Sequence, residues 1–88
     1  MFGSSDLEGL KGEFERKLGI YDYRLSTSEL KEIFREIEQY PVSSRTIPLW
    51  QRIIKEKTPV RTFLETKALD LSDINYIHQQ IRDVLNRQ

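Results

Sequence analysis

Apolar residues recur at intervals of three and four through most of the chain, the pattern of helices that each bury one face. The first such segment carries Leu7, Leu10, Phe14 and Leu18. Ser5 and Glu8 stand before it in the spacing of a capping box, so we expect the helix to begin near residue 5. Gly19 can adopt a left-handed backbone without steric cost and is expected to follow the end of this helix.

The second helix has the clearest signal in the chain. Ser26 and Glu29 form another capping box, and the apolar positions that follow are Leu30, Ile33, Phe34 and Ile37. Pro41 has no N–H and disfavours helical geometry at the residue before it. The second helix is therefore expected to end at Tyr40.

Two proline positions organise the next part of the chain. Pro48 suits the first turn of a third helix over residues 48–57, where an N–H would have no partner. The buried stripe of this helix is expected to contain Trp50, Ile53 and Ile54. Thr58 followed by Pro59 has the form of an N-cap before a first helical residue. These two residues predict a fourth helix over residues 59–69.

A fifth helix is expected to run from a cap at Asp70 or Ser72 to the C-terminus. Its apolar face carries Ile74, Ile77, Ile81, Val84 and Leu85. Residues 20–25 and 42–47 partly alternate between apolar and polar and could be extended, although a two-stranded ladder alone is marginal. The whole pattern predicts an all-α fold, a compact small bundle of about five short helices.

Length and composition limit the class of protein. The 88 residues suffice for one domain, which we expect to span residues 5–88 after a flexible N-terminus at residues 1–4. The lack of cysteine excludes disulfides and thiolate zinc sites. No apolar run approaches the roughly 20 residues of a transmembrane helix, so we expect no membrane contact and a cytoplasmic location.

Charge is distributed unevenly although the formal net charge is zero. Residues 1–40 have an excess of acidic side chains, whereas residues 41–69 hold six basic and two acidic ones. This basic segment is the main electrostatic feature of the sequence. A neutral total argues against a chain built throughout to bind nucleic acid or membranes.

The candidate functional residues are aromatic and basic rather than catalytic. No phosphate-binding loop, metal-ligand spacing or nucleophile beside a base is present, so we predict no enzyme activity, cofactor or metal. His78, the single histidine, is expected to be a partly exposed helix residue. The residues that we expect to face a partner are Tyr21, Tyr23, Tyr40, Arg45, Arg52, Lys55, Lys57, Arg61 and Lys67.

Two functional hypotheses follow. The first is a small non-enzymatic helical interaction or adaptor domain, which binds another protein or a second copy of itself as a homodimer. The alternative is a helix-turn-helix-like DNA-binding regulator that uses the helices near 48–57 and 59–69, with Arg61 directed at base edges. The very short turn between these helices, without the usual glycine, makes nucleic acid the less favoured partner.

Overall fold

The computed structural model describes residues 3–64 and 71–87. Its elements are α1 (Gly3–Leu18), α2 (Thr27–Ile37), a short 3-10 turn (Val42–Ser44), α3 (Ile47–Lys57) and α4 (Leu71–Asn86). The prediction of an all-α bundle is confirmed, with four α-helices and no strand in the described ranges. None of these helices is long and apolar enough to cross a membrane.

Local sequence signals fix most of the helix ends. The hydroxyl of Ser26 accepts the N–H of Glu29, and the Glu29 carboxylate accepts the N–H of Ser26, which confirms the predicted capping box. Thr46 caps α3 by accepting the N–H of Leu49. Gly19 follows α1 with a φ of 84°, the left-handed conformation expected of a glycine at this position. Helix α2 itself ends at Ile37, before the predicted end, and continues as a turn.

Three aromatic rings from three helices form the centre of the core. Phe14, Phe34 and Trp50 are fully buried and meet edge to face, with ring centroids 5.4 to 6.2 Å apart. Helix α4 packs along α1, and α3 packs along α2. Each helix thereby buries the face that its apolar period predicted, including Ile74 and Ile81 of α4.

The predicted fourth helix is wrong over residues 59–64, which have no helical structure. Thr58 ends α3 instead of starting a new helix: its hydroxyl donates to the Ile54 carbonyl at 2.7 Å, and its N–H donates to the same oxygen. The N–H of Val60 donates back to the Thr58 hydroxyl at 3.1 Å. These bonds satisfy the backbone locally in a non-helical turn. Residues 65–69 of the predicted helix lie outside the described residues.

The two connectors form no strands. Residues 20–25 have irregular backbone, while residues 42–47 contain the 3-10 turn and the start of α3, so the expected extended segments are not confirmed. The segment after α3 crosses the end of α1, where the N–H of Leu64 donates to the Gly19 carbonyl at 2.8 Å. Gly19 is needed there for space as well as for its backbone angle, because a Cβ would lie 2.1 Å from the Leu64 oxygen.

Candidate interaction surface

Three of the predicted site residues meet just after α2. The Nε of Arg45 donates to the Tyr40 carbonyl at 2.9 Å, and an Nη of Arg52 donates to the Tyr40 hydroxyl at 3.1 Å. We call Tyr40, Arg45 and Arg52 the Tyr40 cluster. The other guanidinium N–H groups of the two arginines have no hydrogen-bond partner in residues 3–64 and 71–87. Arg52 is exposed and Arg45 is half-buried, so the cluster holds two positioned guanidinium groups whose other donors are unpaired within the described residues.

The 3-10 turn brings the members of this cluster together. It reverses the chain between α2 and α3, with Ser44 donating to the Pro41 carbonyl and Arg45 donating to the Val42 carbonyl. The Val42 side chain is 64 % exposed beside these residues. An exposed apolar side chain next to two arginines and a tyrosine has the composition of a binding hot spot.

Basic residues continue from Arg52 of the Tyr40 cluster along α3 and past its end. Arg52 and Lys55 are exposed on the face opposite the buried Trp50 and Ile53. The Lys55 ammonium lies 5.7 Å from the Phe63 ring centroid, within cation–π range. Lys57 is exposed in the last turn.

The Arg61 side chain is hydrogen-bonded to the C-terminal end of α3 and the turn that follows it. One of its Nη atoms donates to the carbonyls of Lys55, Thr58 and Val60 at distances of 2.8 to 3.1 Å. A cation at this place satisfies carbonyl groups left unpaired at the helix end and complements the helix dipole. The arrangement explains the position of Arg61 without any external ligand.

Five basic residues lie on α3 or in the segments on either side of it, and we call this set the basic face: Arg45, Arg52, Lys55, Lys57 and Arg61. None of them makes an ion pair with a carboxylate within the part of the chain that the structure describes. Cations on the rest of the molecule are commonly paired, as in Lys11 with Glu8, Lys17 with Asp73, Arg24 with Glu15 and Arg82 with Glu38. Among residues 3–64 and 71–87, the basic face thus carries cations that are not directly paired with a carboxylate.

Tyr21 and Tyr23 lie outside the Tyr40 cluster. Tyr23 lines the same shallow depression as Arg61, at the far end of α3, and its hydroxyl donates to the Glu29 carboxylate at 2.5 Å. This hydrogen bond raises the pKa of Tyr23. Tyr21 is 55 % exposed and lines a depression against α1. Lys67 lies outside the described residues.

A buried polar group that the sequence analysis missed lies near the Tyr40 cluster. The prediction of a partly exposed His78 is wrong, because this residue is only 1 % exposed. Its ring packs against Phe34 and Trp50, with centroids 4.5 and 5.3 Å away. Its Nε2 atom lies 2.8 Å from a carboxylate oxygen of Glu38, which also accepts two hydrogen bonds from Arg82.

Burial and charge set the protonation state of this group. Burial lowers the pKa of His78, and the positive charges of Arg45 and Arg82 add to that effect, whereas Glu38 opposes it. Burial tends to raise the pKa of Glu38, but the hydrogen bonds from Arg82 and His78 outweigh it, and the pKa of Glu38 is lowered. At neutral pH the ring is therefore uncharged and donates its Nε2–H to an ionised carboxylate.

A signal for the burial of His78 was present in its position on the helix. It follows Ile74 by four residues and precedes Ile81 by three, so it lies on the apolar stripe of α4. Its partner Glu38 lies 40 residues away and carried no such signal.

In the described ranges no group of three histidine or acidic side chains could hold a metal ion. The His78 side chain is buried, so an external substrate does not reach its ring. Neither a family model nor any curated protein or solved structure shows significant similarity to the chain.

Proposed function

We propose that this chain is a protein-interaction domain whose basic face binds an acidic segment of another protein. The observation that carries the proposal is a set of five basic side chains on and around α3 with no carboxylate partner among the described residues. Glu56 is the single acidic residue of α3. A partner that supplies carboxylates would complement this face in charge.

The Tyr40 cluster supports the choice of carboxylates as the groups recognised. Arg45 and Arg52 are each held by one hydrogen bond to Tyr40, and their remaining N–H groups can donate to the two oxygens of a carboxylate in the bidentate geometry that guanidinium groups favour. Because the side chains are already positioned, less conformational entropy is lost on binding. The exposed Val42 adds apolar area beside the charges.

The distribution of acidic residues favours a different protein over a second copy of this chain. Several carboxylates of α1, α2 and the following turn already pair with cations of the same molecule, among them Glu8, Glu13, Glu15, Glu32 and Glu38. A second copy would have to exchange these contacts to reach the basic face. Light scattering separates the two cases, since self-association through this face would give a dimer that charge reversal dissociates.

Nucleic acid receives less support from the geometry. The helix-turn-helix hypothesis requires a helix that begins at Pro59, and residues 59–64 are not helical. Arg61, expected to read base edges, donates to three backbone carbonyls at the end of α3.

The test is binding of a fluorescently labelled polyglutamate peptide, followed by anisotropy, to the unmodified chain and to Arg45→Glu/Arg52→Glu. We expect the double variant to bind at least about tenfold more weakly, because charge reversal turns attraction into repulsion. The matched control is Lys31→Glu/Arg87→Glu, which makes the same change in net charge at exposed residues away from the basic face. This control should bind more tightly than the double variant.

Equal weakening by both double variants would contradict the proposal, because it would show a response to net charge alone. A random-sequence DNA duplex tests the other class of partner. Duplex binding that exceeds polyglutamate binding and falls steeply with salt would favour a nucleic-acid partner instead.

A further inference from the structure

We infer that the acidic segment carries an aliphatic residue next to its carboxylates, and that this residue packs on Val42 while the carboxylates bind Arg45 and Arg52. This role of Val42 rests on the proposed function and specifies the partner of the same face more closely. The partner is a protein segment in which glutamate or aspartate residues flank an apolar side chain.

The 3-10 turn places the side chains of Val42 and Arg45 next to each other. In a 3-10 helix, side chains three residues apart lie one above the other. The N–H of Arg45 donates to the Val42 carbonyl at 3.1 Å, which is this three-residue spacing. The Arg45 side chain then runs back along the turn, because its Nε donates at 2.9 Å to the carbonyl of Tyr40, two residues before Val42. The apolar side chain and the guanidinium group are therefore neighbours.

The surroundings of Val42 differ from those of the other large apolar side chains that are exposed among the described residues, which are Tyr21, Leu64 and Tyr76. The depressions beside Tyr21 and Tyr76 are lined by charged groups that pair with one another. Leu64 lies at the end of α1, where its N–H donates to the Gly19 carbonyl. Within residues 3–64 and 71–87, Val42 is therefore the exposed apolar side chain that adjoins the unpaired donors of the Tyr40 cluster.

A partner that is only apolar does not suit this place. Arg45 is half-buried beside Val42, so a group that covers Val42 also removes water from the Arg45 guanidinium. N–H groups that lose water without gaining an acceptor cost free energy. Carboxylates next to the apolar group supply these acceptors, and a partner that covers Val42 therefore needs both.

A partner that is only acidic leaves the apolar part of the surface unused. Val42 is 64 % exposed, and Pro41 before it is exposed as well. An aliphatic side chain packed on Val42 removes apolar area of both molecules from water, which favours binding in proportion to the area buried. For one partly covered side chain we expect a gain of about fivefold to tenfold in affinity.

The test compares two labelled polyglutamate peptides of the same length and charge, one with a single central leucine and the other with a central serine. Fluorescence anisotropy should show that the unmodified chain binds the leucine peptide about fivefold to tenfold more tightly. Val42→Ser removes the apolar contact and keeps the charges, so it should reduce this preference to less than about twofold. The affinity of this variant for the serine peptide should stay unchanged.

Tyr76→Ser is the matched control, because Tyr76 is also 64 % exposed but lies on α4, away from the basic face. It should keep the full preference for leucine. In the saturated complex, NMR should also show nuclear Overhauser effects between the methyl groups of Val42 and those of the peptide leucine, a result that needs no variant.

Equal binding of the two peptides by the unmodified chain would overturn the role of Val42, as would a preference that survives Val42→Ser or is lost equally in Tyr76→Ser. Overhauser effects from the leucine to other methyl groups alone would do the same. In each of these cases, binding of the serine peptide leaves the proposed function standing. If neither peptide binds, the proposed function fails and the role of Val42 fails with it.

Discussion

The Nε2 atom of His78 lies 2.8 Å from the Glu38 carboxylate and joins the middle of α4 to the turn after α2, across 40 residues of sequence. The closest helix packing occurs within two pairs, α1 with α4 and α2 with α3. The His78–Glu38 contact and the neighbouring Arg82–Glu38 ion pair link one pair to the other. The polar link lies beside the Phe34 and Trp50 rings, so a change in the protonation state of His78 would act directly on the core.

Stability should fall as the solution becomes mildly acidic. The pKa of His78 is lowered by burial, so below its ordinary value of about 6.5 the unfolded chain binds a proton that the folded chain resists. The neutral His78 ring thus contributes stability that is fully present above the pKa of His78 in the unfolded chain. This stability is lost as the pH falls through the pKa of His78 in the folded chain. The pKa of Glu38 is also lowered in the folded chain, so protonation of Glu38 causes a second loss of stability in more acidic solution.

Urea unfolding at several pH values measures this dependence. His78→Phe keeps an aromatic ring at this place without a titrating group, and should flatten the dependence near pH 6 while Glu38 keeps Arg82. An unfolding free energy of the unmodified chain that stays constant between about pH 7.5 and about pH 5.5 would contradict the assignment of a neutral, buried ring.

Removal of the Glu15 carboxylate should destabilise the connector between α1 and α2. This carboxylate is buried and accepts the N–H of Leu25 at 2.8 Å while it pairs with Arg24. Glu15→Ala leaves the buried N–H without its acceptor, at a cost of about 1–3 kcal/mol in unfolding free energy. Glu13→Ala, an exposed position of the same helix, should cost much less. Equal losses would show that the contact with Leu25 contributes nothing.

Substitution by alanine should change the stability in opposite directions at Gly19 and at Gly9. Gly19→Ala must strain a backbone with φ of 84° and place a Cβ 2.1 Å from the Leu64 carbonyl oxygen, so we expect a loss of several kcal/mol. Gly9→Ala adds its Cβ in open space within α1 and should stabilise by about 0.5–1 kcal/mol. Thermal unfolding of both variants checks the contrast, and a harmless Gly19→Ala would refute the close approach of Leu64.

Thr58→Val tests the turn that replaced the predicted fourth helix. Valine keeps the shape but removes the hydroxyl that donates to Ile54 and accepts from Val60, with an expected cost of about 1–3 kcal/mol. The same substitution at exposed Thr62 should change the unfolding free energy by less than about 0.5 kcal/mol. If the two variants unfold alike in urea, the hydroxyl of Thr58 has no such role.

The parts of the fold that the sequence predicted depend on contacts within a few residues. Ser26 and Glu29 satisfy each other's N–H groups, Pro48 lies in the first turn of α3, and Gly19 follows α1 in the left-handed conformation. The apolar period correctly identified the inner face of every described helix, because helical spacing relates neighbours one turn apart.

The errors occur where contacts outside the regular helical pattern decide the outcome. Thr58 and Pro59 are suitable for starting a helix, but the Thr58 hydroxyl bonds backward to Ile54, and the N–H of Leu64 bonds to Gly19 on another element. His78 was expected to be partly exposed although it lies on the apolar stripe of α4, and its partner Glu38, 40 residues away, could not be identified from spacing. The association of Tyr40 with Arg45 and Arg52 also depends on the 3-10 turn, which no local signal predicted.

The central claim, that the basic face binds acidic protein segments, is tested most directly by chemical-shift mapping of the isotopically labelled chain with polyglutamate. We predict that the largest perturbations fall on Arg45, Arg52 and Lys55, including the side-chain Nε–H signals of the two arginines. Perturbations centred on α1 or α4, or no saturable perturbation in a low-salt solution, would contradict the claim.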